Sequence, residues 1–272
     1  MDILSERLLV IALFILVVTT IETLAYSTRL SGARVGLIAS ALSLFNTLVV
    51  ASRLSTMFQQ PLTGKLIAEV PKGVNRLEFL ENQFRILIGF TTVGVLFGMI
   101  LFPTFIAIFS RAIIQLSNER GSIFTLTKKW FNLKGLKRVV LCFRMPSRRF
   151  LKGINIHTFP KRLFIVNILI TAVYTVGVLA AIYGSLLTEP KYAQAVVLSS
   201  GIINGIATLL LTLFIDPKAS VLADRVTKDK KKYVFLKSYS FAMISSKFAG
   251  TILAQIIFIP AAYYVAWFAK WL

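Results

Sequence analysis

Apolar positions fall into six long runs, roughly residues 8–28, 35–56, 84–109, 163–187, 193–215 and 241–268. Each is close to the ~20 residues that a helix needs to cross a bilayer. Short turns join the first to the second and the fourth to the fifth, the latter through TEPKY. Residues 57–83 are mixed: QQPLTG interrupts the apolar pattern, LIAEV is briefly amphipathic, and PKGVNRLEFLENQF is polar enough for an interface. The least hydrophobic stretch, 110–161, is rich in Lys and Arg against the lone acid Glu119. The pattern predicts an all-α polytopic membrane protein in three parts: a three-helix half at 1–109, a basic amphipathic cytoplasmic linker at 110–161, and a second three-helix half at 162–272.

Composition agrees with a membrane solvent. Of 272 residues, 56% are hydrophobic and 15% charged, with a mean hydropathy of +0.76, values out of reach of a soluble domain with a polar surface. Lys and Arg outnumber Asp and Glu by 31 to 11, a net charge of +20. Nucleic acid would fit such a charge, but the basic residues sit between bilayer-length apolar runs, so the positive-inside rule accounts for them and no nucleic-acid partner is expected. One cysteine, Cys142, excludes an internal disulfide, and with one histidine, His157, no clustered Cys/His metal site can be built. MDILSER has no basic n-region, and no small-residue cleavage site follows the first run, which predicts a retained helix.

If 110–161 is cytoplasmic, parity places the turn with Arg29 and Arg34 and the basic segment 216–240 on the same side, and both termini outside. The expected topology is six spans, N-out and C-out. The halves also echo each other at an offset of 156 to 158 residues: Tyr26 meets Tyr183, Asn46 falls near Asn204, and Phe58 and Pro61 meet Phe214 and Pro217. Three spans per half is an odd number, so a true duplication would be a 3+3 inverted repeat, with sites near the midplane where repeats meet.

Ionisable groups inside apolar runs need partners or a task, since each costs roughly 2.5–3.5 kcal/mol on insertion scales. Thr19, Glu22, Tyr26 and Arg29 share one helical face. Glu22 reads either as a titratable group or gate in a hydrated cavity or as half of a structural pair, bonded to a neighbouring helix through a hydroxyl or through Lys247, its best candidate partner. Arg53 is shaped for bidentate phosphate contact and precedes QQPLTG, whereas Arg85 is expected to snorkel to headgroups. Pro61, Gly64 and Pro217 mark breaks that read as gates or hinges, or as ordinary span ends. Asn46, Asn204 and Gln255 lie near mid-span, bonding helices or lining a path. Phe124, Trp130, Phe131, Phe143, Phe150 and Phe159 alternate with basic residues in the linker, a pattern suited to anionic membrane lipids. No catalytic residue, cofactor or metal is called for.

The run ETLAYSTRLSGARVG, followed by ALSLFN, SR and QQPLTG at these spacings, resembles the Amj family of bacterial lipid II flippases. The resemblance implies a multi-pass protein of the bacterial cytoplasmic membrane. Its implied substrate is lipid II, the undecaprenyl-pyrophosphate-linked peptidoglycan precursor, moved from inner to outer leaflet, and wall-synthesis proteins are conceivable partners. On residues alone, Arg29 or Arg34 is expected to meet the pyrophosphate and pass it toward Arg53, with Glu22 coupling a proton or cation. The rival classes are a membrane enzyme acting on a polyprenyl phosphate, which would need clustered carboxylates or a His/Arg/Ser site, and a non-catalytic scaffold.

Overall fold

The computed structural model describes residues 5–71, 73–119 and 161–271, together with 121, 122, 124, 125, 128, 142–144, 146 and 154. His157 and the linker aromatics Trp130, Phe131, Phe150 and Phe159 lie outside the described residues, as does most of the linker. Seven α-helices are described: α1 (Glu6–Val35), α2 (Ile38–Lys65), α3 (Arg76–Asn118), α4 (Lys161–Gly184), α5 (Pro190–Leu210), α6 (Asp216–Lys228) and α7 (Tyr233–Phe268). A 3-10 turn, Leu66–Glu69, follows α2, and a π-helical turn, Leu211–Ile215, joins α5 to α6. Six helices are long and apolar enough to cross a membrane, the fifth being α5 continued through α6.

Local chemistry sets the ends. Ser5 caps α1 by accepting from Leu8 N–H at 3.1 Å, and Asn75 caps α3 by accepting from Leu77 N–H at 3.2 Å. Gly36 ends α1 in the left-handed region, φ 76°, which a side chain would disfavour, so the chain turns directly into α2. At that corner Gly32 lies so close to Ala41 that a side chain there would collide with it.

Two expectations are corrected. QQPLTG does not break the second span: α2 runs through Pro61 and Gly64 to Lys65, and Thr63 Oγ1 donates to Gln59 O at 3.0 Å within the last turns. A proline removes one intrahelical donor, and here the helix absorbs that loss. The polar start PKGVNRLEFLENQF is likewise mostly helix, because α3 begins at Arg76 and extends 43 residues. By contrast, Pro217 stands in the first turn of α6, where a missing N–H costs nothing, directly after the π turn.

The helices pack as two three-helix units with the same internal order. In the first, α1 packs along α3 and then α2; in the second, α4 packs along α7 and then α5. Close approach depends on small residues at matching places. A side chain on Gly94 of α3 would lie 2.7 Å from Leu16 O and 3.0 Å from Thr19 Cβ; one on Gly250 of α7 would lie 2.8 Å from Ile168 O and 2.7 Å from Thr171 Cβ. Gly98 and Ala254 stand one turn further on. Small residues spaced this way let helices approach closely where no hydrophobic drive exists.

Helix directions follow from the core. Leu8, Ile11 and Ile15 of α1 cluster with Leu80 and Phe84 from the start of α3, but with Val176 to Tyr183 from the end of α4. At the other end, Tyr26 and Leu30 cluster with Leu163 and Leu236. So α1 and α3 run parallel, and α4 runs against them. Phe84, Tyr183 and Phe258 stack edge-on where the units meet, with ring centroids 5.5–6.5 Å apart.

Candidate functional site

Between the two units lies a cavity of about 140 Å³, walled by α1, α2, α4 and α5 with single contributions from α3 and α7. Three of the four residues on the predicted face of α1, Thr19, Glu22 and Tyr26, line it. Glu22 has both carboxylate oxygens occupied: Lys247 Nζ of α7 donates to one at 2.9 Å, and Ser52 Oγ of α2 donates to the other at 2.6 Å. Arg53 lines the same cavity and has no carboxylate partner among the described residues. One acid and two cations leave the walls with an excess positive charge. The rest of the lining is mostly hydroxyl and aliphatic, with Thr171, Tyr174, Thr175 and Thr208 from the second unit.

Two contacts between the units flank the cavity. At the end near Leu66 and Phe84, Gln60 Nε2 of α2 donates to Ser200 Oγ of α5 at 2.8 Å. At the opposite end, Arg29 donates to Asp216 Oδ1 at 2.7 Å, and its guanidinium lies 4.1 Å above the Phe45 ring. Tyr26 and Phe45, both lining the cavity, separate it from this pair. Tyr239 Oη braces the junction by donating to Ile215 O at 2.8 Å. Arg29 is 4% exposed, yet among the described residues its Nε and Nη1 have no hydrogen-bond partner.

The other sequence candidates scatter. Arg34 is exposed beside the first turn. Asn46 points away from the cavity into a shallow outer depression on α2, whereas Asn204 has its Oδ1 buried against Gly177, so the two asparagines do not share a setting. Pro61 is exposed, Gly64 is half-buried with open space around it, and Pro217 is exposed next to Asp216. Arg85 does more than snorkel: Nη1 donates to Gln255 O at 2.9 Å while Gln255 Nε2 donates to Arg85 O at 2.8 Å, tying α3 to α7.

Sequence reasoning missed Asp216, Ser52, Tyr174, Gln60 and Ser200. Asp216 had a signal: it is an acid at the head of a strongly basic segment. The hydroxyls had none, because Ser, Thr and Tyr in apolar helices usually just bond their own backbone or a neighbour. Among the described residues no group of three His, Cys, Asp or Glu could hold a metal ion.

The pattern of a family described as Amj, alternate to MurJ, matches residues 14–269. The chain belongs to the Amj family. It is 52% identical over 271 residues, 100% of both chains, to a Bacillus subtilis (strain 168) protein named lipid II flippase Amj. No solved structure matches it. As an Amj family member with six helices of crossing length, it is a multi-pass membrane protein. The Glu22 face quoted above for the family resemblance is therefore the charged wall of the cavity.

Proposed function

We propose that this protein is a lipid II flippase of the bacterial cytoplasmic membrane, and that the cavity between its two units is the path of the pyrophosphate. The observation that carries this reading is a cavity with a net-positive wall between two oppositely directed three-helix units. Its full-length similarity to a protein named lipid II flippase Amj supports the same substrate. Orientation is N-out and C-out, which puts Arg29, Arg34 and Asp216 at the cytoplasmic end and Gln60 at the outer end. The matching glycine contacts support an inverted repeat, with Glu22 and Tyr174 in equivalent places three residues beyond Thr19 and Thr171.

Size decides part of the mechanism. Sites for drug-sized ligands run to roughly 300–1,000 Å³, so about 140 Å³ admits a pyrophosphate but not a disaccharide-pentapeptide. Passage of so large a headgroup therefore requires one unit to rock against the other. α2 and α5 are the least buried of the crossing helices, and their seam is the lateral opening through which the sugar-peptide and the polyprenyl tail stay outside the cavity. Arg53 receives the phosphate, and the Glu22–Lys247 pair beside it is the candidate for coupling to a proton or cation. Pro61, Gly64 and Pro217 supply bending next to the two closures. Anionic lipids and wall-synthesis proteins would meet the basic linker.

Purified protein in liposomes with labelled lipid II tests this. Exposure of the headgroup without chemical change is the expected result; an altered lipid would show a membrane enzyme instead, and no change in either would leave a scaffold.

A further inference from the structure

Beyond the cytoplasmic closure lies a second recess that the cavity does not include. It is a groove of about 600 Å³ between α6, the start of α4 and the start of α7. Lys218 and Arg225 of α6 and Lys232 before α7 put three cations on its walls, and among the described residues no carboxylate lines it. Lys218 and Arg225 are exposed; Lys232 has Asp229 at 4.0 Å, the limit of an ion pair. Between the cations the walls are apolar, with Val221, Leu222 and Phe235. Cations over an apolar floor match an anionic head on a hydrocarbon chain, and do so better than they match a free polar anion.

The groove and the cavity share a partition. Tyr239 lines the groove and holds Ile215 O; Asp216 is the next residue, and Pro217 after it lines the groove. Leu211, at the other end of the same π turn, lines the cavity. The Arg29–Asp216 pair sits at this same turn, Asp216 between Ile215 and the groove-lining Pro217. A guanidinium carries five N–H donors in a fork that suits phosphate. Here one nitrogen meets Asp216, and Nε and Nη1 are buried with no hydrogen-bond partner among the described residues. Leaving such donors unpaired costs free energy, so Arg29 is held short of its full set of partners.

We infer that the groove is a docking site for the pyrophosphate end of a polyprenyl lipid, and that Asp216 occupies the place at Arg29 which a phosphate oxygen takes on admission. The inference rests on the flippase reading and adds the order of events. Phosphate first meets Lys218, Arg225 and Lys232. It then displaces the Asp216 carboxylate from Arg29, satisfies the orphaned donors and frees α6 to swing. Asp216 thus keeps a buried charge neutralised while the site is empty and keeps ions from leaking through.

Binding of farnesyl pyrophosphate to the purified full chain, followed by calorimetry, tests this. Lys218→Gln with Arg225→Gln, both exposed and so harmless to folding, is expected to weaken binding roughly tenfold through loss of charge-assisted contacts. Asp216→Asn removes the competing carboxylate and is expected to tighten binding by a similar factor, about tenfold, a gain that Arg29→Gln abolishes. Inorganic pyrophosphate and phosphatidylglycerol vesicles are expected to compete poorly. Unchanged binding in the Lys218/Arg225 variant, or weaker binding by a folded Asp216→Asn, would overturn the inference. Equal affinity for inorganic pyrophosphate or for phosphatidylglycerol would overturn its lipid or its pyrophosphate part. Because the probe is not lipid II, these results stand apart from the liposome assay: failure to flip lipid II with these dependences intact would sink the flippase reading alone.

Discussion

The two closures of the cavity are built from different chemistry. The one at Gln60 and Ser200 is a single neutral hydrogen bond between the two least buried crossing helices. The one at Arg29 and Asp216 is an ion pair between a buried guanidinium and a half-buried carboxylate, with an aromatic ring beneath the guanidinium and a tyrosine brace on the adjoining turn. A neutral hydrogen bond nets roughly 0.5–1.5 kcal/mol, whereas breaking one side of a buried pair costs roughly 3–5 kcal/mol because a charge is stranded. The Gln60 end is therefore expected to open more readily than the Arg29 end, which on the inference above needs a replacement anion. The difference teaches that one closure behaves as a latch and the other as a lock, and that a phosphate is the natural key to the second.

Removing a lock partner is expected to have the largest effect. Asp216→Ala should lower stability by about 3–5 kcal/mol, read as a fall in the melting temperature of detergent-purified protein; a loss comparable to the latch mutation would erase the contrast. Glu22→Gln comes next, at about 2–3 kcal/mol, because Lys247 loses its ion pair inside the cavity. Adding Lys247→Met should restore most of that stability while transport stays impaired, separating support of the fold from handling of the substrate. Gly94→Val should cost about 1–3 kcal/mol by pushing α3 off the Leu16 backbone of α1. The latch variant Gln60→Ala should cost only about 1 kcal/mol, yet change the rate of lipid II exposure more than the stability. Asn46→Ala, on the outward face of α2, should fall within about 0.5 kcal/mol of the parent in stability and leave transport intact.

Much of the fold is legible in the sequence, since six apolar runs of crossing length leave little freedom in a bilayer. The ends were harder. Helices α2, α3 and α7 extend beyond their apolar runs because nothing near Lys65, Arg76 or Tyr233 forbids continued helix, and hydropathy marks where lipid stops and not where hydrogen bonding stops. The FxxP echo misled for a related reason: proline at 61 is absorbed in mid-helix, while proline at 217 opens a new helix. Glu22 could be matched to Lys247 because cations at that depth are scarce. Arg29 could not be matched to Asp216, since an acid beside a basic loop reads as a surface residue until the π turn folds it inward.

Locking the latch tests most directly that lipid II passes through this cavity. With the sole cysteine removed by Cys142→Ser, Gln60→Cys and Ser200→Cys place two thiols where a 2.8 Å hydrogen bond now joins the side chains. A short cleavable crosslinker should abolish lipid II exposure in liposomes, and cleavage should restore it. Undiminished exposure by fully crosslinked protein would contradict passage between α2 and α5.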